Sequence, residues 1–148
     1  MSLTIDISRG RPEDHAAMVE IWAVAARAAH PFVPGEGRGE RRRLVAEHFL
    51  PRSETHLARI DGRSLGFAAV LGEELGGLFV HPAAQRRGIG RALVRAAIAG
   101  RAFLTVTVFT RNPRAIAFYH ALGFAETERG IDGETAEQVL RMRLEAAP

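Results

Sequence analysis

The chain has no cysteine among its 148 residues. That excludes disulfides, thiolate-ligated zinc and any acyl transfer that passes through a cysteinyl thioester. It has no lysine either, since all 20 cationic side chains are arginine. A Walker phosphate loop, which needs a lysine to reach the phosphates, is thereby excluded. No apolar run reaches the roughly 18 to 20 residues that a membrane span requires. The opening MSLTIDISRG lacks the basic and apolar regions of a secretory leader. The expected setting is the cytoplasm, without a membrane partner.

A further absence is local. From Leu75 to Ala125 the 51 residues hold seven arginines and no Asp or Glu, although the chain contains 17 carboxylates and carries a net charge of only +3. A segment stripped of negative charge in a near-neutral chain is suited to face an anion. A solvated basic face is the competing reading of the charge alone. What is present is ordinary: 47% apolar and 25% charged residues, the composition of a globule long enough to bury its own core. No repeat, low-complexity tract or linker divides the chain, so one domain is expected over 1–148.

Hydrophobic periodicity places the elements. Leu3, Ile5 and Ile7 alternate as a strand. RPEDHAAMVEIWAVAARAA carries Met18, Ile21, Trp22 and Ala25 on one helical face. After the turn-rich HPFVPGEGRG, a second helix presents Leu44, Val45, Phe49 and Leu50, and Pro51 is expected to end it. HLARI and SLGFAAVL flank Asp61-Gly62, a hairpin signal, and ELGGLFV follows as a third antiparallel strand closed by His81-Pro82. A helix to about Ala99 comes next, then the β-branched FLTVTVF. A helix opened by Asn112-Pro113 and closed by Gly123 follows, and FAETE and AEQVLRMRL meet around Asp132-Gly133. The order β-α-α-β-β-β-α-β-α-β-β predicts an α/β (α+β) fold, a single mixed, mainly antiparallel sheet flanked by helices.

QRRGIGRALV, residues 85–94, asks for an explanation, because Gly88 and Gly90 stand where the first turn of a helix should form. Each costs up to about 1 kcal/mol against alanine in a helix interior. A dinucleotide fingerprint would need a third glycine where Leu93 stands and an acid about 20 residues on, but the first acid is Glu126. A phosphate cradle fits better. First-turn amides are unpaired, the helix dipole adds partial positive charge, and glycine lets backbone approach an anion without a Cβ between. Arg86, Arg87 and Arg91 add charge. Tight helix-sheet packing would also explain the glycines, but not the arginines.

Gln85-Arg86-Arg87-Gly88-Ile89-Gly90 resembles the Q/R-x-x-G-x-G/A signature of the GNAT superfamily of acyl-CoA-dependent N-acyltransferases. A second element of that family, an Asn before a helix running on to F-Y and L-G-F, has its counterparts in Asn112, Phe118-Tyr119 and Leu122-Gly123-Phe124. The strand order is similar throughout, and His30-Pro31-Phe32 with LFVHP resembles the small bacterial YjaB-like branch. The resemblance implies acetyl-CoA as cosubstrate and no metal. The pyrophosphate would lie on amides from Arg86 to Arg91 beside Gln85. The pantetheine arm would pair with the backbone of Leu78, Phe79 and Val80 where ELGGLFV and FLTVTVF splay apart, with Asn112 and Phe118 against it.

The family's chemistry is direct attack of an amine on the thioester in a ternary complex, which suits a chain without cysteine. The resemblance makes Tyr119, the chain's one tyrosine, the donor to the departing thiolate. A backbone N–H near Phe79 or Val80 would serve the oxyanion. Strict alternation would put Glu74, Gly76, Leu78 and Val80 on one strand face, and family members carry a Glu or His at the positions of Glu74 or Gly76. With glycine at 76 the task of base falls on Glu74, and His30 is a second candidate. Trp22, His30, Phe32, Val33 and Glu36 are expected on the acceptor side. The implied function is an N-acetyltransferase acting on a primary amine of a small molecule or peptide, as a monomer or homodimer. A non-catalytic acyl-CoA sensor on the same fold is the alternative. Net +3 without an RNA-binding aromatic motif argues against a nucleic-acid partner.

Overall fold

The computed structural model describes residues 4–147. Among the described residues seven strands and five α-helices follow the expected order, except that the expected second helix is divided into two. They are β1 (Asp6–Arg9), α1 (His15–Ala29), α2 (Gly39–Leu44), α3 (Leu50–Arg52), β2 (Glu54–Ile60), β3 (Arg63–Leu71), β4 (Glu74–Val80), α4 (Ile89–Ile98), β5 (Phe103–Phe109), α5 (Pro113–Ala121), β6 (Ala125–Ile131) and β7 (Gln138–Glu145). They form one sheet in the order β1-β2-β3-β4-β5-β7-β6. β4 and β5 are parallel and every other neighbouring pair is antiparallel. The hairpin at Asp61-Gly62 turns as its sequence predicts, with both residues left-handed at φ 50° and 76°.

Two expectations shift. Leu3 lies outside the described residues, and β1 begins at Asp6, although Ile5 and Ile7 still pack on the core. Pro51 does not stop its helix. A π-helical turn over Val45–Phe49 joins α2 to α3, and its wider winding sends the Leu50 N–H to the Val45 carbonyl. Pro51 then falls in the first turn of α3, where a missing N–H breaks no helical bond.

The sheet is covered on both faces. Met18, Ile21, Trp22, Leu50 and Phe67 form one buried cluster under α1 and α3, with Phe49 and Phe79 packed against it. On the other face Leu75, Ile89, Leu93, Leu104, Val106 and Val108 pack with α4, and Tyr119 of α5 joins them.

Along the middle of the sheet the strict alternation of β4 fails. Ala69 pairs with Gly77 and Val70 with Leu75, so Gly76 is an extra residue bulged out of the β3–β4 ladder. Leu75 therefore shares its face with Leu78 and Val80. Phe79 packs on the opposite face, where a Cβ at Gly76 would press on the Phe49 ring and one at Gly77 on the Phe79 ring. β4 touches β5 through a single pairing, Glu74 with Thr105, reinforced by the Thr105 N–H on the Glu73 carbonyl at 2.8 Å. Beyond it the strands diverge, and Leu78 to Val80 have ladder partners only on β3.

Arg101 braces the closed end of that fork. Its guanidinium donates to the Gly72 carbonyl at 3.0 Å, the Ala97 carbonyl at 2.7 Å and Glu54 Oε2 at 3.0 Å. It thereby joins the β3–β4 turn, the end of α4 and the start of β2. The Arg101 hydrogen bond is the main reason that the Glu54 carboxyl is pulled from its ordinary 4.5 to about 2. A carboxyl depressed in the folded state stabilises it above the unfolded value, and that stability is lost as pH falls from 4.5 through about 2. Arg101→Met is expected to destabilise the fold by about 1–3 kcal/mol at neutral pH. The gap in melting temperature between wild type and variant, followed by circular dichroism, should narrow as pH is lowered through that window.

Candidate active site

The fork between β4 and β5 opens into a cleft of about 1180 Å³, more than the roughly 300–1,000 Å³ of an ordinary small-ligand pocket. Leu78, Phe79 and Val80 form one wall, and Val106 to Phe109 form the other. At one end stands the start of α4, where the loop residue Arg86 and the N-cap residue Gly88 are left-handed at φ 67° and 83°. Consecutive turns of this kind aim backbone N–H groups into one concavity, a geometry that holds anions. The first helical bond runs from the Ala92 N–H to the Gly88 carbonyl at 3.1 Å. Ile89, Gly90 and Arg91 thus have no helical partner for their amides. Gln85 ties the loop down through Nε2 to the Val80 carbonyl at 3.4 Å.

The two glycines do different work. Gly88 is required by its backbone angle, and a Cβ there would meet only the Ile5 side chain at 3.9 Å. Gly90 is required by packing, since a Cβ would come within 3.0 Å of the Phe118 ring. Packing does explain Gly90, though against helix α5 and not against the sheet as expected, and the amide-cradle explanation suits Gly88. Arg86 and Arg91 line the cleft, whereas Arg87 does not. Among the described residues none of these three, nor Arg114 on the cleft rim, makes an ion pair, so their charge is available to an anion.

On the α5 side, Asn112 caps its helix, accepting the Ala115 N–H at 3.2 Å through Oδ1. Phe118 and Tyr119 follow on that helix with ring centroids 5.1 Å apart, and Phe124 meets Tyr119 edge-on at 5.1 Å. Tyr119 is buried yet lines the cleft, and no protein group bonds its hydroxyl among the described residues. Burial pushes its phenol well above the ordinary value, which keeps the proton on oxygen as a donor.

The acceptor end is built from the α1–α2 loop. His30, the C-cap of α1, lies edge-on to Phe109 at 4.8 Å and near Phe32 at 5.9 Å, and Phe32 meets Phe109 at 5.3 Å. Arg111 sits over Phe32 at 4.5 Å. Glu36, 5% exposed, receives hydrogen bonds from His30 Nδ1 at 3.2 Å and Arg41 Nε at 2.9 Å. Burial raises the Glu36 carboxyl, but those two hydrogen bonds outweigh it and hold the group below its ordinary value, ionised. Arg41 also reaches Glu134 on the β6–β7 turn. Glu134 and Asp132 complete this wall.

Most of the expected site residues meet in this cleft. Leu78, Phe79, Val80, Gln85, Gly88, Ile89, Gly90, Asn112, Phe118 and Tyr119 line it, as do His30 and Phe32. Trp22 contributes to the floor but is a core residue, 4% exposed. Glu74 is the departure. The bulge comes after it, so it stays where β4 and β5 are still paired, off the cleft wall. Its carboxylate accepts from the Thr107 hydroxyl at 3.5 Å. Gly76 leaves no vacancy either, because the Phe49 ring fills that space. Sequence reasoning did not find Phe109, Arg41, Asp132 or Glu134, which come from three distant segments. The nearest signals were the Asp132-Gly133 turn and the strand FLTVTVF, which ends at Phe109.

A splayed parallel pair, an amide-lined helix start on one side and a buried tyrosine opposite define an acyl-CoA acyltransferase cleft. Residues 51–126 match the family described as an acetyltransferase (GNAT) domain, and the chain belongs to that family. Peptidyl-lysine N-acetyltransferase YjaB of Salmonella typhimurium is 34% identical over 128 residues, covering 86% of this chain and 88% of that protein. The solution structure of apo-form YjaB from Escherichia coli superposes with a TM-score of 0.82 at 31% identity, over 95% of this chain and 97% of that one. The structure of yncA from Salmonella typhimurium with its cofactor acetyl-CoA shares the fold, with a TM-score of 0.70 at 20% identity over 95% of this chain and 93% of that one. The chain is thus an acetyl-CoA-dependent N-acetyltransferase, and the sensor alternative has no support. No helix among the described residues is long and apolar enough to cross a membrane.

Gly88→Ala and Gly90→Ala should fail for different reasons. A left-handed residue with a Cβ costs roughly 1–2 kcal/mol, so Gly88→Ala is expected to melt lower whether or not Phe118 is present. The loss in Gly90→Ala should shrink in a Phe118→Leu background. Thermal melts of the single and double variants measure that coupling.

Proposed function

We propose that this enzyme transfers the acetyl group of acetyl-CoA to the side-chain amine of a lysine in a peptide or protein. The observation that carries the reading is the fork itself: Leu78 to Val80 are paired on the β3 side and free toward β5, beside the amides that open α4. An extended pantetheine arm can take those free backbone groups as an added strand does. The pyrophosphate then rests on the α4 amides and the Arg86 and Arg91 charges, and the Asn112 side-chain amide is free to donate, since only its Oδ1 is used by the cap.

The acceptor end fits a lysine chain. Phe32 and Phe109 supply apolar surface for the alkyl stem, and Asp132 and Glu134 supply negative charge for an ammonium. Similarity to proteins named peptidyl-lysine N-acetyltransferases supports the same acceptor.

In the reaction a base on the acceptor side takes one proton from the ammonium. The amine lone pair then attacks the thioester carbonyl carbon, and a backbone N–H at Phe79 or Val80 stabilises the oxyanion. As the tetrahedral centre collapses, the C–S bond breaks with its electrons on sulfur, and nitrogen sheds its second proton. Tyr119 donates a hydrogen bond to the departing thiolate. Held above the roughly 8.5 of a thiol, its phenol favours a hydrogen bond over full proton release, and the thiolate takes up the second proton through solvent.

Acetyl-CoA at saturation should raise the melting temperature by several degrees, and ATP or NADH should not, since a ligand of the folded state stabilises it by mass action. No shift with acetyl-CoA would overturn the reading. Tyr119→Phe removes one hydrogen bond to a charged group, worth about 1.5–3 kcal/mol, so kcat should fall roughly 10- to 100-fold in a CoA-thiol release assay. Because burial raises the phenol, the wild-type rate should show no descending limb from tyrosine ionisation below about pH 10. The chain contains no lysine, so acetyl-lysine detected by mass spectrometry belongs to the added peptide.

A further inference from the structure

We infer that His30, held by the buried Glu36 carboxylate, is the general base that deprotonates the acceptor amine, an assignment that rests on the acetyltransferase reading above. Its tautomer follows from its partner. Glu36 is ionised and can only accept, so the Nδ1 atom 3.2 Å from Oε2 carries the hydrogen. In the neutral ring Nε2 then holds the lone pair, and among the described residues it has no hydrogen-bond partner. His30 lines the same cleft as Tyr119.

The position is right in height and in face. β4 and β5 are in register at Glu74 and Thr105. Four residues further on β5 is Phe109, and the same advance on β4, allowing for the extra Gly76, is Phe79. His30 lies against Phe109, so it stands level with the backbone assigned to the oxyanion. The alternation of β5 buries Leu104, Val106 and Val108 with Tyr119 on the α4 and α5 face. Phe109 points to the other face, where it meets His30 and Phe32. The imidazole and the phenol thus approach the fork from opposite sides of the sheet. A tetrahedral intermediate needs that division, with the entering nitrogen on one side of the carbon and the departing sulfur on the other.

The support of the imidazole is preorganised. Successive turns, from the Val33 N–H to the His30 carbonyl at 3.1 Å and from the Glu36 N–H to the Val33 carbonyl at 3.3 Å, wind the chain so that Glu36 returns to His30. Gly37 lies so close to α1 that a Cβ would come within 2.6 Å of the Ala23 carbonyl. Arg41 holds the second Glu36 oxygen at 2.9 Å and is itself tied to Glu134. Burying a carboxylate is costly unless it is fully bonded. Here the bonds fix one imidazole edge and leave the other toward the cleft, the arrangement of a base with an orienting acid.

In the step, Nε2 takes one proton from the lysine ammonium and later releases it to solvent. Every atom is then accounted for as acetyl-lysine, free CoA thiol and one proton. Glu36 touches neither substrate nor cofactor and is a positioning residue.

The test uses the full chain, acetyl-CoA, a lysine peptide and thiol release. His30→Gln keeps a donor for Glu36 but no base, and should lose on the order of 10²-fold or more in kcat while keeping the acetyl-CoA thermal shift. His30→Ala should recover turnover with added imidazole. Glu36→Gln should lower kcat less, with the KM for acetyl-CoA unchanged, and Glu36→Asp should restore part of the loss. Retention of kcat within about threefold in His30→Gln overturns the assignment, as does a His30→Ala loss that imidazole does not relieve, or a loss that appears in Glu74→Gln instead. In these cases acetyl-CoA binding and Tyr119 dependence would leave the acetyltransferase reading standing. A wild-type protein that releases no thiol with any lysine peptide overturns both.

Discussion

A single inserted residue at the centre of the sheet governs how the rest of the molecule is used. Gly76 has no opposite number on β3, so β4 changes its pleat there and turns away from β5 after one shared pairing. Backbone N–H and C=O groups in a sheet interior are ordinarily all satisfied by neighbours. The fork leaves Leu78 to Val80 without a ladder partner on β5, in a place a ligand can reach, and the Val80 carbonyl accepts from Gln85 Nε2. Phe49, carried by the π-helical turn, fills the space beside Gly76 and Gly77, so the bulge is packed on its covered side and open on the other. The Arg101 network at the closed end keeps β4 and β5 together where they must stay joined.

The two ends of the cleft have opposite electrical character, and each suits one reactant. Arg86, Arg91 and Arg114 lie at one end beside the unpaired amides of α4, with no carboxylate from Leu75 to Ala125 to neutralise them. At the other end the three carboxylates Glu36, Asp132 and Glu134 outnumber the two guanidinium groups, Arg41 and Arg111. A polyanionic cofactor and a cationic acceptor are thus drawn to separate positions before any specific contact forms. The groups proposed for the chemistry follow the same division: Tyr119 belongs to the core beneath α4 and α5, and the His30–Glu36 pair belongs to the loop that leaves α1.

Much of this was legible in one dimension because the signals are local. Helix and strand periods, the Asp61-Gly62 hairpin and the Asn112-Pro113 cap depend on residues a few positions apart. So does Gly88, whose left-handed backbone is a property of its own loop. The order of elements and the left-handed turn before α4 could therefore be read directly. Tyr119 and Phe118 came with them through the family pattern around Asn112.

The set of elements, the charge asymmetry and the left-handed turn before α4 are written in neighbouring residues. Glu36 was already expected on the acceptor side, but Asp132 and Glu134 enter the cleft, and Glu74 stays off it, only through tertiary packing. Strand alternation pointed to Glu74, but a one-residue bulge reverses the faces of β4, and its one local sign is the Gly76-Gly77 pair inside ELGGLFV. Glu36 acquires its role only because an arginine five residues on and a histidine six residues back converge on it in a buried site. Arg41 and Glu134, far apart in the chain, meet across the acceptor wall. Convergence of that kind depends on how the sheet twists and packs, which residue spacing along a strand or helix does not encode.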